Sequence, residues 1–169
     1  MRHMDAGKGR LPLKIESISP ENRNQVNRFI LDHWYSTDMV VRGEIVDMTC
    51  LDGFVIYQND AIIGLATFRI ADRECEIMSL DSLMENQGIG TALIHKVMEA
   101  AASAKCNKVK LITTNDNINA LRFYQKRGFD MVRLNRGAVQ AARKLKPSIP
   151  EKGEFDIPIR HEIEFEMEL

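Results

Sequence analysis

The chain has 169 residues, of which 44% are hydrophobic and 28% charged, and its formal net charge is -1. A domain of this length can bury roughly 70% of its unfolded surface, enough to stand without disulfides or a structural metal. The composition excludes collagen-like, disordered and coiled-coil chains, and the near-neutral charge leaves no global basic field for nucleic acid.

Residues 1–10 (MRHMDAGKGR) carry charges but no apolar run after them. They read as a flexible end rather than a secretory signal, and residues 11–169 as a single domain. No stretch approaches the ~20 apolar residues of a membrane span, so cytoplasm is the default location. Cys50, Cys75 and Cys106 are odd in number and form no C-x-x-C, which argues for reduced, mostly packed cysteines. The four histidines make no H-x-x-x-H pair, so no metal site is expected.

Leu13 to Ser17 alternates enough for a short strand, and Pro20 opens a helix in which Val26, Phe29, Ile30 and Trp34 share one face. Tyr35 to Leu51 has no decisive pattern. A three-strand meander follows: residues 53–58, 61–70 and 74–80, joined by turns at Asn59-Asp60 and Asp72-Arg73. Gly88-Ile89-Gly90 then leads into a helix over 91–105, with Ile89, Leu93, Val97, Ala101 and Ala104 on one face. Val109 to Thr113 reads as a buried strand, Asn117 to Arg127 as a helix with Gly128 at its C-cap, and Phe129 to Leu134 as a strand. Arg136 to Lys146 is helix-compatible and basic, and is expected to be a solvated face. In the final HEIEFEMEL, Ile163, Phe165, Met167 and Leu169 alternate with Glu162, Glu164, Glu166 and Glu168. That predicts a strand with one buried face and one exposed acidic face. The order fits an α/β fold, a mixed sheet covered by helices.

The strand–glycine loop–helix junction from Glu74 to Val97 aims backbone N–H groups and a positive helix end at one point, which suits a phosphate or pyrophosphate. It is not a P-loop, since Thr91-Ala92 follow Gly90, nor a dinucleotide fingerprint, since Leu93 stands where a small residue is needed. Further on, asparagines end a buried strand, and Asn117 is a good N-cap for the helix carrying Tyr124.

ENQGIGTALI followed by NINALRFYQKRGF resembles the GNAT superfamily of N-acetyltransferases. The family's first motif is Q/R-x-x-G-x-G/A, and here Glu85 takes its first position, with Gln87 two residues on. Its second is N-x-x-A-x-x-x-Y-x-x-x-G-F, matched by Asn117, Ala120, Tyr124, Gly128 and Phe129. The resemblance implies a mostly antiparallel sheet flanked by helices, and direct transfer of an acetyl group from acetyl-CoA to an amine. It assigns the diphosphate to Gln87, Gly88, Ile89, Gly90 and Thr91, and the pantetheine arm to Leu80 and Ser82, with Asn117 and Phe123 also on the cofactor. Tyr124 is expected to protonate the departing thiolate, with a backbone N–H near Leu80 as oxyanion donor.

An alkyl amine of pKa near 10.4 costs about 4.6 kcal/mol to deprotonate at pH 7, so a base helps. Glu76 is the expected base and Glu74 the alternative, two residues apart on one strand face. The acceptor is expected near Trp34, Tyr35 and Arg42 and the stretch from Pro147 to Pro158. From Glu151 to Leu169 there are seven acids and two bases, a net of -5 that attracts a cation. Expected partners are a small-molecule or peptide amine, with a homodimer allowed and no nucleic acid, membrane or metal. A non-catalytic acyl-CoA sensor is the alternative, which an amine-dependent thiol-release assay separates.

Overall fold

The computed structural model describes residues 13–169, so the reading of residues 1–10 as a flexible end lies outside the described residues. Strand β1 (Lys14–Ser17) leads to helix α1 (Arg23–Trp34), whose Val26, Phe29 and Ile30 are buried at the three- and four-residue spacing of one helical face. Tyr35 ends α1 in a left-handed conformation. The patternless segment that follows is a small hairpin, β2 (Asp38–Val41) and β3 (Glu44–Asp47), closed by Arg42-Gly43 with both residues at positive φ. Its strands are only four residues long, too short for alternation to show in the sequence.

The meander is β4 (Asp52–Gln58), β5 (Ala61–Ala71) and β6 (Glu74–Ser82), and its two-residue turns Asn59-Asp60 and Asp72-Arg73 also take positive φ throughout. Such turns match the right-handed twist of the strands they join. Then come α2 (Ile89–Ser103), β7 (Lys108–Thr114), α3 (Ile118–Gln125), β8 (Asp130–Asn135), α4 (Ala138–Leu145) and β9 (Glu162–Glu168). Helix α2 stops at Ser103, which leaves Ala104 exposed rather than on the buried face.

Seven strands form one sheet in the order β1-β4-β5-β6-β7-β9-β8. Every neighbouring pair is antiparallel except β6–β7, which α2 joins as a crossover. This is the mixed, mostly antiparallel α/β architecture expected. One sheet face packs Ala66, Phe68, Ile77, Leu111 and Phe165 against α2 and α3. The other packs Val55, Leu65 and Met78 against α1 and the β2–β3 hairpin.

Two features of β6 shape the site. Met78 is an extra residue: Ser79 opposes Thr67 while Ile77 opposes Phe68. Such a bulge bends a strand. In addition, β6 and β7 pair only over Glu74–Ile77 and Lys108–Leu111, although the strands run on to Ser82 and Thr114. The sheet therefore opens in a wedge.

The acidic face of β9 is exposed only at its end, at Glu168, contrary to expectation. Glu162 and Glu164 are buried, and Glu164 accepts from Arg42 at 2.8 Å and from Asn135 at 2.8 Å. The hairpin and its arginine come from the other end of the chain, so alternation alone could not reveal them. The basic run is likewise not simply solvated: Arg143 donates to the carbonyls of Ile149, Pro150 and Ile159, fastening the segment after α4.

Candidate active site

The wedge is where the sheet leaves its own backbone unpaired. Leu83 donates its N–H to the Ile63 carbonyl at 2.9 Å. Opposed residues in an antiparallel ladder alternate between bonded and non-bonded pairs. Leu65/Asp81 is then a bonded pair, while Ala66/Leu80 and Gly64/Ser82 are not. The main-chain groups of Leu80 and Ser82 accordingly point away from β5, into the wedge.

Helix α2 starts beside this edge. Gly88 caps it at φ 76, a left-handed conformation that costs glycine little. A Cβ on Gly90 would stand 3.0 Å from the Phe123 ring, so only glycine lets α3 close against this first turn without a shift. Between them lies a cleft of about 730 Å³. Its lining brings together Leu80, Ser82, Gly88, Ile89, Gly90, Thr91, Asn117, Phe123 and Tyr124. Gln87 is exposed in the loop before α2 and lies outside that lining.

Arg122, Lys126 and Arg127 also face the cleft. The Arg127 guanidinium lies 3.4 Å over the Phe123 ring, and its Nε donates to Thr91 Oγ1 at 3.1 Å. A cation is thus fixed at the first turn of α2, where the helix end is already positive. Sequence reasoning passed over Arg127. Its signal was the four-residue spacing from Phe123, which sets the two side chains one turn apart.

Tyr124 is 7% exposed, with its ring packed against Phe129 and Phe165 at centroid distances of 5.5 and 5.9 Å. Its hydroxyl has no hydrogen-bond partner among the described residues, although the residue lines the cleft. Burial, reinforced by the nearby Asp81 charge, pushes the phenol far above its ordinary range, so it stays protonated. Asn117 is the N-cap the sequence suggested: its Oδ1 accepts from the Ala120 N–H at 3.0 Å.

The carboxylates of β6 differ in their surroundings. Glu76 is buried, and both of its oxygens are taken. Oε1 accepts from Arg42 Nε at 3.1 Å, and Oε2 from Arg69 Nε at 3.0 Å and from the same guanidinium's terminal nitrogen at 2.8 Å. Glu74 is bound by Lys110 and Lys108, whose hydrogen bonds hold its carboxyl below the usual range.

Asp81 is placed differently. It lines the cleft next to Leu80 and accepts one bond, from Trp34 Nε1 at 3.2 Å. Burial pushes its carboxyl up to about 6, against the opposing pulls of Trp34 and His33. In the sequence it is one acid at the start of a loop, with nothing to show that Trp34 approaches from 47 residues away.

On the acceptor side, Trp34 is thus tied to Asp81, Arg42 is engaged by two glutamates, and Tyr35 is largely exposed. Asp116 Oδ2 accepts the Glu154 N–H at 3.2 Å, and Glu154, in the stretch between Pro147 and Pro158, reaches the cleft. Among the described residues no group of three or more His, Cys, Asp or Glu side chains is arranged to hold a metal ion.

Comparison with known proteins adds a family relationship. The model of the acetyltransferase (GNAT) family matches residues 19–129. The uncharacterized protein YdhI of Bacillus subtilis (strain 168) is 46% identical over 152 residues, which is 88% of this chain and 95% of that protein. An IAA acetyltransferase from Bacillus cereus superposes with a TM-score of 0.66 at 22% identity, over 94% of this chain and all of the other. A Bacillus subtilis acetyltransferase in complex with CoA gives a TM-score of 0.64 at 16% identity, over 94% of this chain and 99% of the other. At those identities the superpositions speak for the fold.

Proposed function

The chain belongs to the acetyltransferase (GNAT) family, and on that premise we propose that it transfers the acetyl group of acetyl-CoA directly to a primary amine of a small molecule or peptide. The observation that carries this reading is the β6–β7 wedge, whose unpaired Leu80 and Ser82 main chain faces the positive start of α2.

The cleft suits the cosubstrate. The N–H groups of Gly88 to Thr91, together with Arg127, would bind the diphosphate. Leu80 and Ser82 would pair with the amide-bearing pantetheine arm as an added strand, beside Phe123 and the amide of Asn117. Acetyl-CoA supplies the activated acyl group. The Leu80 N–H then points where the thioester oxygen gains charge, an interaction worth roughly 3–4 kcal/mol where such donors have been removed.

Proton handling divides between two side chains. Asp81, on the residue after the oxyanion donor, takes the proton from the attacking nitrogen, directly or through a water. Its carboxyl, poised near neutrality, is matched to that task. Glu76, the base expected from sequence, has both oxygens on guanidinium groups. It acts instead as the post that holds Arg42 and Arg69. As the N–C bond forms and the C–S bond breaks, the Tyr124 O–H donates to the departing sulfur. Amide and thiol are the products, and the proton held by Asp81 returns through water to the Tyr124 oxygen, which restores both groups.

Purified protein, acetyl-CoA and a panel of amines, followed by thiol release, test the reading. Amine-dependent thiol release supports it; acetyl-CoA binding in a calorimeter without release from any amine would leave the sensor role instead.

A further inference from the structure

Resting on the acetyltransferase reading, we propose that Glu162 anchors a second positive charge on the acceptor, which makes the substrate class a small dicationic amine. Glu162 is only 8% exposed, yet no donor and no cation pairs with its carboxyl group among the described residues. The nearest candidates are directed elsewhere: Arg42 to Glu76 and Glu164, and Asn135 to Glu164. The Glu162 oxygens are not fully buried and keep a narrow access to solvent, and a largely buried carboxylate with no protein donor gains from a cationic ligand that can reach it. Consistent with this, burial pushes the Glu162 carboxyl up, with Arg42 opposing and Glu164 adding to the rise.

Its position suits an anchor. Glu162 pairs with Thr114 on β7. The β6–β7 register sets Ile77 beside Leu111, and because Met78 is the extra residue of the bulge, Leu80 is level with Thr113 and Asp81 with Thr114. Glu162 therefore stands level with Asp81, one residue beyond Leu80, on the far side of the wedge. Side chains two apart on a strand share a face, so Glu162 projects with Glu164 to the side where Arg42 reaches over. Phe165 projects to the opposite side, among the residues packed by α2 and α3. The Asp81 carboxylate belongs to the same side as Glu162, held there by Trp34 of α1.

Two strand spacings separate β6 from β9, about 10 Å before the strands splay. That is too far for Glu162 to touch a nitrogen attacking beside Leu80. It is suitable for an ammonium several bonds away along the same molecule. An acceptor bearing a carboxylate at that place would meet Glu162 and Glu164 as like charges.

The test compares isosteric acceptors on the full chain: 1,4-diaminobutane against 1-aminopentane, and 1,5-diaminopentane against 1-aminohexane. The inference predicts kcat/KM at least about tenfold higher for the diamine of at least one pair. It also predicts that Glu162→Gln brings that ratio close to one, with the loss carried mainly by KM. Equal use of diamine and monoamine by the unaltered protein would overturn the anchor while leaving the acetyltransferase reading intact. So would a diamine preference that Glu162→Gln does not change. Thiol release from no amine at all would fail the acetyltransferase reading itself, and the anchor with it. Should Glu162→Gln not fold, the wild-type ratio in 0.05 M against 0.5 M salt replaces it: the preference must shrink as charge is screened, and a salt-independent preference would also overturn the anchor.

Discussion

Arg42 and Glu76, 34 residues apart, meet at 3.1 Å over the middle of the sheet. The arginine stands in a two-residue turn at positive φ, and its guanidinium also reaches Glu164 at 2.8 Å. One side chain thus pins the β2–β3 hairpin to strands β6 and β9. Arg42→Ala leaves Glu164 with Asn135 alone and Glu76 with Arg69 alone. We expect a loss of about 1–3 kcal/mol, since buried charges are left with fewer partners. Urea unfolding measures it, and a cycle with Glu164→Gln tests whether the two effects overlap. Strict additivity would show that the guanidinium does not bridge the strands in solution.

Tyr124→Phe removes a hydroxyl that has no hydrogen-bond partner among the described residues. The ring stays in its packing against Phe129 and Phe165. The fold and CoA affinity should hardly change, while kcat falls by about ten- to a hundredfold. Because burial keeps the phenol protonated, wild-type turnover should show no descending limb below pH 10 that Tyr124→Phe removes. Unchanged turnover would take Tyr124 out of the mechanism.

On the proposed mechanism, Asp81 governs the acidic limb. The carboxylate form grows as pH rises through about 6. For an acceptor amine of pKa near 10, log kcat/KM should climb with a slope near two below pH 6 and near one above it. Asp81→Asn should abolish the break along with most of the activity. Trp34→Phe, which removes a donor that holds the carboxyl down, should move the break to higher pH. A break that stays in place in both variants would assign it to another group.

The same shift has a consequence for stability. A carboxyl whose folded pKa is raised favours the fold below its unfolded value near 3.9, and that contribution is lost as pH rises through about 6. Asp81→Asn keeps an acceptor for Trp34 and lacks the charge. It should therefore raise stability at pH 7.5 by on the order of 1–3 kcal/mol, with little gain at pH 4. Thermal unfolding at the two pH values reads the difference, and an equal effect at both would contradict a buried charge as its cause.

Gly90→Ala and Arg127→Ala probe the diphosphate end. The added methyl must displace a ring now 3.0 Å from its position, and Phe123 lines the cleft. Arg127→Ala removes the cation over that ring and the bonds to Thr91. Each should weaken CoA by about tenfold in calorimetry. Only the arginine variant should also flatten the dependence of affinity on salt. A loss of salt dependence in Gly90→Ala would point to a displaced Arg127 instead.

Outside the β2–β3 hairpin, the amino-acid pattern by itself determined the order of strands and helices, the glycine-led start of α2, the Asn117 cap and the placing of Tyr124. These rest on local periods of two and 3.6 residues and on turn chemistry, all written within a dozen neighbouring positions. Family membership was legible for the same reason, since both motifs are short and contiguous. Only the tertiary structure decided which carboxylates are free. Glu76 looked available until Arg42 and Arg69 closed on it, Asp81 looked like a loop acid until Trp34 arrived, and Glu164 looked solvated until Arg42 of the hairpin reached it. Each of those partners comes from another element of the chain. The environment of a charge depends on what lies within a few ångströms, and folding, not sequence adjacency, sets that distance.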